Sequence, residues 1–209
     1  MLALGALAWM LLSLLPSVLF AESKTNSTAV RVNAAGSIPS GAAHPAALPV
    51  FNHGTLLWSH PAGWEYTPPR IDVSGKTPMN FRLQGPKGRP TVLVTVFWDG
   101  FGTNNSKPNL EFLEARMTDA ASNQFLPGSI EKKVTVRKFD SATIQFRYTT
   151  FTDSEWVGKP VPELESRHAT LGTFRTGTLW GNFMLMTNDT DGPEFRSGLE
   201  VLQSFHKAP

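Results

Sequence analysis

The sequence predicts an α+β domain: a mostly antiparallel β-sheet covered by two main helices in an α/β/α sandwich. Three observations predict it. Short segments with alternating apolar side chains, bounded by Gly and Pro, recur along the chain. Two segments, 108–125 and the stretch after Asp191, place apolar residues at helical spacing. The order is strands, one helix, more strands, one helix, which antiparallel neighbours with two covering helices satisfy.

The first strand is read at Thr55–Ser59, stopped by His60-Pro61, with a turn at Ala62-Gly63 and extended chain from Trp64 to Thr67. Met79 to Gln84 alternates, with Met79, Phe81 and Leu83 on one face, and Gly85-Pro86-Lys87-Gly88 is a turn by composition. Thr91–Trp98 is dense in Val and apolar on both faces, the pattern of a central strand covered on both sides. After a loop of Gly, Asn and Ser, Pro108 suits the first turn of a helix. Leu110, Leu113, Met117, Ala120, Ala121 and Phe125 make its apolar face, and Glu111, Glu114, Arg116 and Asp119 its polar one. Val134 and Val136 alternate as a strand, Phe139-Asp140-Ser141 turns, and Ala142, Ile144, Phe146 and Tyr148 alternate cleanly. A polar excursion broken by prolines follows over 152–165. The segments 168–175 and 178–188 form a hairpin at Thr176-Gly177. Asp191-Gly192-Pro193-Glu194 reads as a capping box opening a last helix, with Phe195, Leu199, Leu202 and Phe205 or His206 as its buried stripe.

The 209 residues are 41% apolar and 17% charged, a globular balance. The net charge is +2, and no face gathers the basic stripe that nucleic acid requires, so nucleic-acid binding is not expected. The chain has no cysteine, which excludes disulfides, zinc-thiolate sites, a cysteine nucleophile and iron–sulfur clusters. Met1–Leu15 is almost unbroken Leu, Ala, Met and Trp. Pro16 and then Ala21 complete the pattern of a secretory signal peptide over 1–21. Residues 22–52, rich in Ala, Ser, Asn, Gly and Pro, read as a flexible tether, and 53–209 as the domain. The domain is therefore expected outside the cytoplasm, periplasmic or extracellular. An uncleaved leader would make it membrane-anchored, with no other membrane contact.

Several of these pieces resemble the PsbP-like superfamily: Pro61-Ala62-Gly63-Trp64, Met79-Asn80-Phe81-Arg82-Leu83, the strand Val92–Trp98, the helix 108–125, the meander 132–188 and the closing Leu202-Gln203-Ser204-Phe205. The resemblance covers about residues 55 to 206. It implies the PsbP/Mog-type α/β/α sandwich and an exported bacterial protein with a non-enzymatic binding or assembly role. The family shares no catalytic residues, so none is carried over.

Catalytic signatures are missing from the residues themselves. The histidines are His44, His53, His60, His168 and His206, and none pair at i and i+4. His53 and His60 lie close in sequence and are read as loop residues flanking the first strand, since a metal site needs three or four ligands of fixed geometry. Asn188–Gly192 resembles a calcium loop, but Thr187 and Gly198 stand where that loop needs an acid and a glutamate. Neither a Gly-x-Ser-x-Gly elbow nor a phosphate-binding Gly-x-x-x-x-Gly-Lys is present. Glu163 and Glu165 form a carboxylate pair of a kind any globular protein has. No metal and no cofactor are expected. Trp156, in the polar excursion, is the candidate anchor for a ligand or partner, with Trp64 and His60 beside it as further candidates. The reading is an exported non-enzymatic domain that binds a protein partner or assists an envelope complex. Its alternatives are a small-ligand module with a pocket near 152–165, or an enzyme of unrecognised type.

Overall fold

Ten strands and two helices are found in the computed structural model, which describes residues 43–69, 77–101, 107–163 and 165–209. The leader 1–21, the tether up to residue 42 and the Asn-Ser loop 102–106 lie outside the described residues. The strands are β1 (His44–Pro49), β2 (Thr55–His60), β3 (Glu65–Thr67), β4 (Met79–Gln84) and β5 (Thr91–Trp98). Helix α1 (Leu110–Gln124) follows, then β6 (Arg137–Asp140), β7 (Gln145–Thr152), β8 (His168–Thr176) and β9 (Leu179–Thr187). Helix α2 (Pro193–Gln203) and β10 (His206–Lys207) close the chain. The large sheet runs β3-β4-β5-β9-β8-β7-β6 and a small one β1-β2-β10, with every pairing antiparallel. The α+β class is therefore as read.

The layers follow from the two-residue period of the strands. On one face of the large sheet, Phe81, Leu83, Val92, Val94, Val96, Phe174, Phe183 and Leu185 are buried with Phe195, Val201 and Leu202 of α2 and with Leu48, Leu56 and Trp58 of the small sheet. The second cover is thus a helix together with a small sheet. β2, the first strand read in the sequence, belongs to that cover and not to the large sheet. Tyr66 joins this core edge-on to Trp58 and Phe81, and burial pushes its phenol up to about 12. On the other face α1 lies over β7 and β8. Its Ala121, with Phe125 just beyond its end, packs on Phe151, Ala169, Leu171 and Met184. Leu113 meets Phe97 and Trp180, whose rings stack with centroids 4.4 Å apart. β5 is central as predicted, but α1 does not reach β4, where Asn80 and Arg82 are exposed.

Polar anchors fix the helices. Asn109 caps α1, its Oδ1 accepting from Phe112 N at 2.9 Å. Arg147, buried beneath α1, donates to both oxygens of Asp140 at 2.7 and 3.3 Å and has Nε 3.3 Å from Glu114. Arg175 donates to Asp99 and to Pro108 O, tying β8 to the entry of α1.

Four expectations are corrected. The tether does not reach residue 52, because β1 occupies His44–Pro49. Its two prolines are exposed on an edge strand, where no ladder donor is lost, while Leu48 points into the core. Val134 and Val136 lie outside any strand, since β6 begins at Arg137. Ile130 N donates to Thr152 O, whereas Arg137 sits opposite Tyr148, so residues 131–136 face only 149–151 and depart from the ladder. The strand expected from Ala142 starts at Gln145, and the turn lies at 141–144 instead of at Phe139. Finally, the last helix is capped from outside the predicted box. Asp189 accepts from Glu194 N (3.2 Å) and Phe195 N (2.9 Å), and Glu194 Oε2 accepts from Asn188 N at 2.8 Å. Asp191 makes no side-chain cap, its backbone carbonyl accepting from Arg196 instead.

Candidate binding surface

β7 and β8 are neighbours that a tight turn could join, yet residues 153–167 run between them as an excursion fastened at several points. At its base Asp153 N donates to Arg167 O at 2.9 Å. Asp153 also bridges to Ser129, and Ser154 Oγ donates to Gly128 O at 2.9 Å. At its far end Arg89, in the β4–β5 connection, donates through Nη2 to the carbonyls of Pro162 (2.8 Å), Glu163 (2.6 Å) and Glu165 (2.5 Å). Arg167 Nη2 donates to Lys159 O at 2.9 Å. The strand order puts β8, β9 and β5 between these two ends, so the excursion is a strap across one end of the large sheet.

Beneath the strap lies a polar lattice. Glu131 receives Thr152 N with both carboxylate oxygens, at 3.1 and 3.0 Å. Asn188 Oδ1 accepts from Arg167 N at 3.1 Å. His168 Nδ1 is 3.1 Å from Thr152 Oγ1. Burial, then the charge of Arg167, hold the His168 imidazole below its ordinary pKa, against the opposite pull of Glu131 and Asp189. A hydroxyl beside an imidazole is one half of a nucleophile–base pair. Here no carboxylate is hydrogen-bonded to the ring, so the base has no orienting acid among the described residues.

On this frame stand apolar side chains. Ile130 is 48% and Val157 49% exposed, two of the three large apolar side chains exposed among the described residues. They sit on segments joined to each other through Ile130 N to Thr152 O (3.1 Å) and the Ser129–Asp153 bridge. Trp156, half-buried in a single helical turn over Ser154–Trp156, lies between them in the chain, its N–H donating to Asp153 O. Lys132, Lys133 and Lys159 are exposed nearby in sequence. The third exposed residue, Phe112, is on α1 with the Arg116 guanidinium 5.9 Å from its ring centre.

The other two candidates lie elsewhere. Trp64 is 8% exposed and part of the main core, so it packs and offers no surface. His60 stacks on His44 across β1–β2, with ring centres 5.7 Å apart, and its Nδ1 is 3.1 Å from Pro61 O. His53 is at the opposite end of β2, stacked on Trp98 at 5.1 Å, so the two sequence-adjacent histidines diverge. No ring contact joins Trp156 to Trp64 or His60 among the described residues. Among those residues no group of three His, Asp or Glu side chains could hold a metal ion, and no helix is long and apolar enough to cross a membrane. Sequence reasoning missed Arg89, Ile130, Val157 and the His44–His60 pairing. Arg89 carries no local signal at all, because its partners lie more than seventy positions away.

No family model matches the chain, and no curated protein does. Among solved structures it is similar to the cyanobacterial PsbP of Synechocystis sp. PCC 6803, known from a solution structure. The TM-score is 0.48 and the identity 14%, over 85% of this chain and 99% of that one. The similarity is one of chain course and transfers no residue and no role.

Proposed function

We propose that this chain is an exported, non-enzymatic domain that binds a protein partner through the corner formed by Ile130, Trp156 and Val157. One observation carries the reading. Apolar side chains are left in water on two segments whose backbone is already hydrogen-bonded, one to the other and, through Arg89, to the sheet. A held surface loses little conformational freedom on association, and buried apolar anchors beside charged side chains are the usual anatomy of a contact centre. The leader-like segment 1–21 supports export, and the sequence resemblance to PsbP-like proteins supports a binding or assembly role.

The test is crosslinking in the exported fraction with wild type, the double variant Ile130→Ser/Val157→Ser, and Phe112→Ser as an exposed apolar control. A specific crosslinked partner should be retained by wild type and Phe112→Ser and lost by the double variant. Equal crosslinking by all three would refute the assignment of the corner.

A further inference from the structure

The register of β1 on β2 places His44 directly opposite His60, at the open end of the small sheet. His44 shares its face with Ala46 and Leu48, and His60 shares its face with Trp58 and Leu56, by the two-residue period of a strand. Leu48, Leu56 and Trp58 are core residues. The two imidazoles therefore end a row of core contacts, and both are half-buried. Their rings are 5.7 Å apart between centres and within 20° of parallel. His60 Nδ1 lies 3.1 Å from Pro61 O, a contact that requires the proton on Nδ1 and leaves the Nε2 lone pair available. Ligating histidines show this arrangement, one nitrogen donating to a backbone carbonyl while the other faces the ion. The His44 imidazole has no hydrogen-bond partner among the described residues, so either of its ring nitrogens is open to ligation.

We infer that His44 and His60 form a two-imidazole site for a late first-row divalent cation, with water completing the coordination. Directly opposed residues in an antiparallel pair have β-carbons about 4.5–5.5 Å apart. With His60 held by Pro61 O, His44 turns out of the stack so that both imidazoles reach one ion at about 2.0–2.1 Å. Imidazole suits Zn²⁺, Ni²⁺ and Cu²⁺, with Cu²⁺ bound most tightly, and it discriminates against Mg²⁺ and Ca²⁺, which need oxygen ligands. The bound ion would staple β1, an edge strand with two prolines, to β2. Because the pair exists only when the strands are joined, the ion stabilises the folded state. The site is remote in sequence from the partner-binding corner and independent of that reading.

The experiment is calorimetric titration of the full, untagged chain with CuCl₂ and, separately, ZnCl₂, at about pH 7.5, above the ordinary imidazole pKa. One equivalent of Cu²⁺ should bind, more tightly than Zn²⁺. His44→Gln and His60→Gln should each weaken binding at least about tenfold, while His53→Gln and His206→Gln leave it unchanged. Circular dichroism establishes that each variant is folded. Electron paramagnetic resonance of the wild-type Cu²⁺ complex should show two nitrogen donors and tests the site without any substitution. Wild-type affinity in both His44→Gln and His60→Gln would overturn the proposal. So would loss of binding confined to the control variants, the absence of saturable binding, or a spectrum with a single nitrogen.

Discussion

Replacing Gly172 by alanine tests how the two central strands of the sheet pack. Gly172 on β8 sits opposite Phe183 on β9, and two residues along Phe174 sits opposite Gly181, so two glycine–phenylalanine pairs lie side by side in reversed order. A β-carbon on Gly172 would fall 2.1, 2.4 and 2.7 Å from Cζ, Cε1 and Cε2 of Phe183, because that ring lies flat across the glycine. Carbon atoms in contact need about 3.5–4.0 Å, so the ring must retreat by roughly 1.5 Å. Phe183 is 4% exposed and meets Phe146 edge-on at 5.8 Å, so there is no open space to retreat into. Overpacking of this kind costs about 1–3 kcal/mol, and alanine recovers about 0.5–1 kcal/mol of the backbone entropy that glycine loses in a strand. A net loss between about 0 and 2.5 kcal/mol, centred near about 1 kcal/mol, is expected by urea denaturation, with m unchanged. Phe183→Leu, harmful alone, should be less harmful in the Gly172→Ala background, giving a coupling of about 0.5 kcal/mol or more in a double-mutant cycle. Gly181→Ala should cost more than Gly172→Ala, since its β-carbon would stand 2.1 Å from the backbone oxygen of Thr95, which has less room to yield than a ring. A net gain in stability for Gly172→Ala, or strict additivity with Phe183→Leu, would refute the reasoning.

Three further outcomes follow from the polar anchors. Asp189→Ala should destabilise by about 0.5–2 kcal/mol through loss of the α2 cap, while Asp191→Ala, whose side chain caps nothing, stays within about 0.5 kcal/mol of wild type in the same denaturation assay. Arg89→Ala should leave the melting temperature nearly unchanged but free the far end of the strap, so limited proteolysis cuts within 153–167 several-fold faster; an unchanged rate would mean that Arg89 does not hold it. His168 titrates below its ordinary value, so the native state prefers the neutral ring. The stability this contributes is present above the unfolded pKa of about 6.5 and is lost as pH falls through the folded one. Proton NMR of the His168 ring should place its midpoint below that of an unfolded peptide, and stability should decline less from pH 7 to about pH 5 in His168→Gln than in wild type.

What could be read in the sequence was what neighbouring residues decide among themselves. The Val run of β5, the hairpin at Gly177 and the apolar face of α1 each announce themselves through a local period, and each is where that period puts it. β1 has no such signal. His-Pro-Ala-Ala-Leu-Pro becomes a strand because β2 offers it an edge and the core accepts Leu48, and both are tertiary facts. Val134 and Val136 fail in the opposite sense, a sound alternation overridden where Glu131 takes the Thr152 N–H and the following residues leave the ladder, although Val134 still packs on the cluster beneath α1. Asp191 stands at the capping-box spacing from Glu194, yet it is Asp189 that reaches the first amides of α2 from the preceding turn. At the candidate surface, Trp156 was legible as an aromatic without an evident strand face. Its apolar companions were not, since Ile130 and Val157 become neighbours in the fold only through the bridge between 129 and 153.

The edges of the sheets bear on how a partner could attach. β3 offers three residues and β6 four, and Arg137, Lys138 and Asp140 of β6 are exposed. Beyond β6, the edge of β7 is closed at Thr152 by the Glu131 carboxylate and by Ile130 N. The small sheet ends in a proline-bearing strand on one side and a two-residue strand on the other. Short, charged or proline-bearing edges resist the addition of a further strand. Attachment through backbone pairing is therefore the mode this architecture disfavours, and attachment through side chains is the one it leaves open. That places the burden on Ile130, Val157 and Trp156, with the backbones of Ile130 and Trp156 already engaged and with Glu131, Lys132, Lys133, Glu155 and Lys159 as charges close to them in sequence. An apolar centre with a charged rim should hold its partner with an off-rate governed by the apolar residues and an on-rate that depends on salt. Ile130→Ser should therefore speed dissociation, and Lys132→Gln/Lys133→Gln should slow association and flatten its salt dependence. The reverse assignment would mean that the partner is held at the rim and the exposed apolar side chains are incidental.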